Sequence, residues 1–208
     1  MASPGKARAE RQKLNEGALI METILIKITG TRPLLMHSDK FSDPLNPLTK
    51  EHKALTSKRK KTDDDHEQIA KSEWLGGMYY DEKIGPYLPG VNIEAAMIAG
   101  GKLSKLGTAL KRSVEVMEER CAVEYDGPRT LEKLWAAGFY DARSVKVQQA
   151  RLMRYRPMFR QWSTTCTIAF DPETIDRNQV IKCMADGGMY CGVGDYRPKF
   201  GRFSVEEL

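Results

Sequence analysis

The tract from Ala142 to Phe170 contains no aspartate or glutamate, and one predicted helix later comes a glycine-rich run, Gly187 to Phe203. That order narrows what the chain can fold into. Five glycines in this run (Gly187, Gly188, Gly192, Gly194 and Gly201) disfavour both helix and strand, so the chain must turn there through conformations open chiefly to glycine. The acid-free tract carries Arg143, Lys146, Arg151, Arg154, Arg156 and Arg160, with Tyr155, Phe159 and Trp162 among them, and the turn adds Arg197, Lys199 and Arg202. Cations beside flat rings suit a single-stranded nucleic acid, whose phosphates need neutralising and whose bases need a surface to stack on. Gly192 and Gly194 would let backbone amides approach a phosphate. Two structural readings compete: a solvated sheet face for the tract, and a plain helix-to-strand connection for the glycines. The lack of acid within the tract speaks against arginines held in salt bridges.

A chain of 208 residues with 41% hydrophobic and 29% charged residues has the ordinary composition of a soluble globular protein and can bury a core. No apolar run reaches the roughly 18 residues of a membrane span, and the basic N-terminus lacks the apolar centre of a signal peptide, so a cytoplasmic protein is expected. The four cysteines and three histidines show no zinc spacing, and no cofactor is expected. Neither phosphate-binding glycine motif of the nucleotide-cofactor folds is present. The net charge of +5 is modest but uneven: Lys50, Lys53, Lys58, Arg59, Lys60 and Lys61 lie within twelve residues that hold one acid, Glu51. Lys58, Arg59 and Lys60 therefore join the candidate nucleic-acid contacts.

Residues 1 to 20 read as a flexible arm and residues 21 to 208 as one domain. Thr23 to Thr29 is β-branched and dense enough for a buried strand. Ser38 to Pro47 reads as loop, Thr62-Asp63-Asp64-Asp65 as the capped start of a helix reaching about Trp74, and residues 78 to 88 as a hairpin. Pro89-Gly90 opens a helix with an apolar face of Ile93, Met97, Gly100 and Leu103. A strand-like stretch from Val114 to Tyr125 follows, then a short helix from Leu131, strands near Val145 and from Thr164 to Phe170, and a capping box at Asp176. Arg202 to Val205 closes the chain as a strand. This order predicts an α+β fold: a ferredoxin-like (RRM-like) βαββαβ core, a large insertion after the first strand, about residues 38 to 88, projecting as a finger, and the glycine-rich turn before the last strand.

Three segments together resemble the RAMP superfamily of CRISPR-associated proteins, most closely its guide-RNA-coating backbone subunit. They are Ile26 to Met36, with its Pro33-Leu34-Leu35 turn; Tyr87 to Ala96, similar to that family's helix-opening Pro-Gly motif; and the glycine-rich turn from Gly187 to Phe203. The chain also looks like small phage and prophage proteins. The resemblance implies a protein that binds single-stranded RNA or DNA, assembles side by side with copies of itself, and works near CRISPR or phage recombination and replication proteins. It also implies two alternatives. One is a metal-independent endoribonuclease using His37, since relatives place a histidine after the first strand and histidine suits acid–base work near neutral pH. The other is a false subunit that interferes with a CRISPR complex. Asp39 and Asp43 share the His37 loop, but no partner constellation accompanies them, so binding rather than catalysis is the expectation.

Overall fold

The computed structural model describes residues 21 to 147 and 150 to 208. The expected arm, residues 1 to 20, lies outside them. Among the described residues the protein is α+β, with three small antiparallel sheets and six α-helices. The ten strands are β1 (Glu22–Gly30), β2 (Leu34–Leu35), β3 (Tyr80–Asp81), β4 (Gly85–Pro89), β5 (Val114–Val116), β6 (Arg120–Ala122), β7 (Tyr140–Val147), β8 (Ala150–Phe159), β9 (Ser163–Phe170) and β10 (Phe203–Glu207). The helices are α1 (Pro47–Thr56), α2 (Asp63–Gly77), α3 (Gly90–Leu103), α4 (Gly107–Ser113), α5 (Leu131–Ala136) and α6 (Arg177–Asp186).

The largest sheet runs β10-β1-β9-β5, every neighbour antiparallel. Alternation in β1 decides its faces: Ile24, Ile26 and Ile28 are buried, while Thr23, Leu25 and Thr29 are exposed. The buried isoleucines share one core with Ile93, Ala96 and Met97 of α3 and Val180, Cys183 and Met184 of α6. Glycines let these helices touch: a Cβ on Gly100 would meet the Cys183 carbonyl oxygen at 2.2 Å. Leu103, expected on the apolar face of α3, is 60% exposed instead.

Two excursions leave this sheet. In the first, the expected loop from Ser38 to Pro47 holds a 3-10 turn, Lys40–Ser42, and ends where α1 begins, capped by Asn46, whose side chain accepts from the Leu48 amide at 3.0 Å, with Pro47 as its first residue. Proline at that position starts a helix, although in the sequence it read as loop. Residues 38 to 88 do not stand apart as a finger: Trp74, Met78 and Leu88 belong to the core, and the Trp74 indole donates to the Phe139 carbonyl at 2.9 Å. In the second excursion, the stretch from Val114 to Tyr125 divides between sheets, β5 pairing with β9 and β6 with β4. β7 and β8 then form a long hairpin, with β2 on the other side of β8.

The start of α2 carries a full capping box, Thr62 with Asp65. Hydrogen bonding from the Lys58 ammonium, and then from the Thr62 amide, holds the Asp65 carboxyl at about 2, below its ordinary 3.8. A carboxylate depressed on folding stabilises above its unfolded value and stops doing so as the pH falls through its folded value. The thermal advantage of the wild type over Asp65→Asn should therefore be full above pH 3.8 and vanish as the pH falls through about 2. Melting curves across that range test this, and a pH-independent advantage would refute it.

Candidate nucleic-acid interface

The glycine-rich turn packs directly onto β2. The Asp195 amide donates to the Leu35 carbonyl at 2.8 Å, the Gly201 amide to Pro33 at 2.8 Å, and the Val193 amide to Gly201 at 2.9 Å. Such closeness explains two of the glycines. Gly194 has φ +80° and its missing Cβ would sit 2.4 Å from the Leu35 carbonyl oxygen; Gly201 has φ +69° and would clash with the Val193 oxygen at 1.7 Å. The Gly192 amide is already donated inward, to Gly187 at 2.7 Å, so it cannot reach a phosphate as expected from the sequence. The connection reading of these glycines therefore holds, with consequences for the site.

By seating the turn on β2, this packing closes a cavity of about 200 Å³. His37 reaches it from the end of the first segment, Asn92 and Ala95 from the first turns of α3, Gly194, Asp195 and Arg197 from the glycine-rich turn, and Tyr79 from the start of the 78–88 hairpin. Two of the segments that carried the family resemblance thus meet here, beside His37, the residue that follows the remaining one. Sequence reasoning missed Tyr79, Asn92, Ala95 and Asp195 as members, because only the fold brings them there.

The arginine tract divides. Arg143 is held by Asp141, with Nη2 2.7 Å from Oδ1, and its guanidinium lies 5.1 Å from the Tyr196 ring centre and 4.6 Å from that of Phe200. Hydrogen bonding to Asp141 raises its already high pKa. Arg154 donates to Glu73 at 2.6 Å, and Arg156 lies 2.8 Å from the Asp195 carboxylate. So the expectation that an acid-free tract escapes salt bridges fails for these three: their acids come from α2, from Asp141 just ahead of the tract, and from the turn. The contacts of Arg143 and Arg156 fasten the hairpin to the turn. Lys146, Arg151, Arg160, Arg197 and Lys199 are exposed, and Arg202 is half-buried with its Nε donating to the Pro198 carbonyl at 2.9 Å.

The aromatic residues of the tract point the other way from expectation. Phe159 and Trp162 are buried, the Trp162 indole donating to the Arg32 carbonyl, and Tyr155 packs beside Trp135 and Tyr140. Phe159 and Trp162 build the core and offer no stacking face, while Tyr155 is half-buried against it. Exposed rings lie instead in the turn, Tyr190 at 55% and Tyr196 at 44%, the latter with φ +54°, a conformation uncommon for a bulky residue. On the open face of the large sheet, Thr23, Leu25, Lys27 and Thr29 stand beside Ser163, Thr165 and Thr167, with no aromatic residue among them. An RRM-type strand laid across that face would find only the half-buried Tyr125 to stack on, at the edge of the recess it shares with Lys27, Thr29 and Ser163.

Of the basic block, Lys58 pairs with Asp65, while Arg59 and Lys60 are exposed between α1 and α2 and do not line the cavity. Among the described residues no group of three or more His, Cys, Asp and Glu side chains is placed to hold a metal ion, and no helix is long and apolar enough to cross a membrane. The sequence matches no protein-family model, and no curated protein is similar to it.

Proposed function

We propose that this protein binds single-stranded nucleic acid at the cavity between α3 and the glycine-rich turn, and that its core is a ferredoxin-like βαββαβ unit of the RAMP type. The sheet order β10-β1-β9-β5, with α3 between β1 and β5 and α6 between β9 and β10, supports the core assignment. The observation that carries the functional reading is the meeting of His37, Asn92 and Arg197 in one small cleft whose acid, Asp195, is already paired with Arg156. At about 200 Å³ it is smaller than the roughly 300–1,000 Å³ of an enclosing ligand site, so it suits a phosphate and part of a nucleotide passing through. Exposed Tyr196, between Asp195 and Arg197 of the lining, offers a stacking face beside it.

Binding through charge and stacking is weakly sequence-dependent and strongly salt-dependent. A labelled single-stranded oligonucleotide should bind with an affinity that falls by about tenfold or more between 50 and 200 mM salt, whatever its sequence. Unchanged affinity across that range would end the proposal. His37→Ala should weaken binding by a modest factor. Cleavage of a single-stranded RNA in chelator, abolished by that substitution, would instead make the protein an endoribonuclease.

A further inference from the structure

A second recess lies apart from the cleft, between α1, α2 and β8, and at about 620 Å³ it is the larger of the two. Ile69 and Ala70 of α2 and Leu152, Met153 and Tyr155 of β8 give it an apolar lining. Leu152 and Met153 are 44% and 52% exposed, an unusual outlay of apolar surface for adjacent residues. Lys61, Arg151, His52 and His66 also line it. Lys61 and Arg151 are exposed, and neither forms an ion pair among the described residues. The acid lining the recess, Glu73, already accepts from Arg154 at 2.6 Å and from the Tyr155 amide at 3.0 Å, so it does not offset those cations. Arg59 and Lys60 are exposed on the α1–α2 connection that leads into Lys61.

A cationic rim over an apolar lining calls for a ligand with an anionic edge and a flat apolar body. We propose that this groove is a second site for the same single strand, taking one or two nucleotides that flank those in the cleft; it rests on the reading of the cleft given above. Lys61 and Arg151 would meet phosphate, and a base would lie on Leu152 and Met153. β8 runs between the two sites: Arg156 touches Asp195 of the cleft, and Arg154, two residues along on the same face and about 7 Å away, lines the groove. A peptide partner fits less well. β2 covers the β8 edge only at Met158 and Phe159, and beside the groove the Tyr155 amide is already taken by the Glu73 carboxylate at 3.0 Å, so a peptide strand would have to displace that bond to pair there.

The test uses the full chain and photoreactive single strands of four and twelve nucleotides, lengths that bracket the range of small single-strand sites. The twelve-mer should crosslink both at the turn around Tyr196 and at residues 152 to 155. Lys61→Glu with Arg151→Glu should lower twelve-mer affinity by roughly tenfold and leave the four-mer unchanged. Crosslinks confined to the turn, with twelve-mer affinity intact in the double variant, would overturn the groove and leave the cleft standing. Failure of the wild type to bind either strand would overturn both. An acidic peptide that binds more tightly than the twelve-mer and is lost in the same variant would assign the groove to a protein partner instead.

Discussion

Gly201→Ala is expected to be among the most damaging single substitutions in this chain. Alanine at φ +69° costs about 1–2 kcal/mol from backbone conformation alone. Its Cβ would also sit 1.7 Å from the Val193 oxygen, and that neighbour is backbone, which cannot rotate aside. Together these put the loss at roughly 3 kcal/mol or more, a melting-temperature drop of about 6–12 °C for a domain of this size. Gly138→Ala is the matched control: its φ is +74°, but nothing lies within 4 Å of the added Cβ. It should cost only about 1 kcal/mol, a drop of roughly 3 °C. Equal losses at the two sites would mean that strain alone matters and that the turn does not pack as described. Because Gly201 also accepts from Val193 and donates to Pro33, its loss should release the turn from β2 and open the cleft. Single-strand binding should fall with stability in Gly201→Ala and survive in Gly138→Ala.

The parts of the fold that were legible in the sequence are those written locally. β1 has its β-branched alternation, α2 and α6 have capping boxes at Thr62 and Asp176, and Pro89-Gly90 marks the start of α3. Each signal sits within a few residues of what it specifies. The failures share the opposite character. The partner of Arg154 is Glu73, 81 residues earlier, so the composition around the arginine held no trace of its salt bridge. Whether Phe159 and Trp162 face solvent or core depends on Gly30, Arg32 and Tyr125 reaching them from other elements. The cleft is intermediate. Its segments were visible, yet only the seating of the turn on β2 makes them one site.

That division of the arginines gives a sharper separation of roles than the tract suggested. Arg197 and Lys199 are exposed on the turn, and neither forms an ion pair among the described residues, so reversing both charges should leave the fold intact. Arg197→Glu with Lys199→Glu should lower single-strand affinity by roughly 100-fold at low salt and flatten the logarithmic salt slope by about 1.4, two phosphate contacts at ~0.7 each. Arg154→Ala with Arg156→Ala should do the reverse. Those substitutions leave Glu73 and Asp195 without their cations, and with both pairs partly screened by solvent the cost is about 1–2 kcal/mol, seen as a lower melting temperature with a nearly unchanged salt slope. Binding in the second variant falls only as far as the loosened turn spoils the cleft. Melting curves and a salt titration on the two double variants decide it. A steeper loss of salt slope from the paired arginines than from Arg197 and Lys199 would show that the strand tracks the hairpin and not the turn.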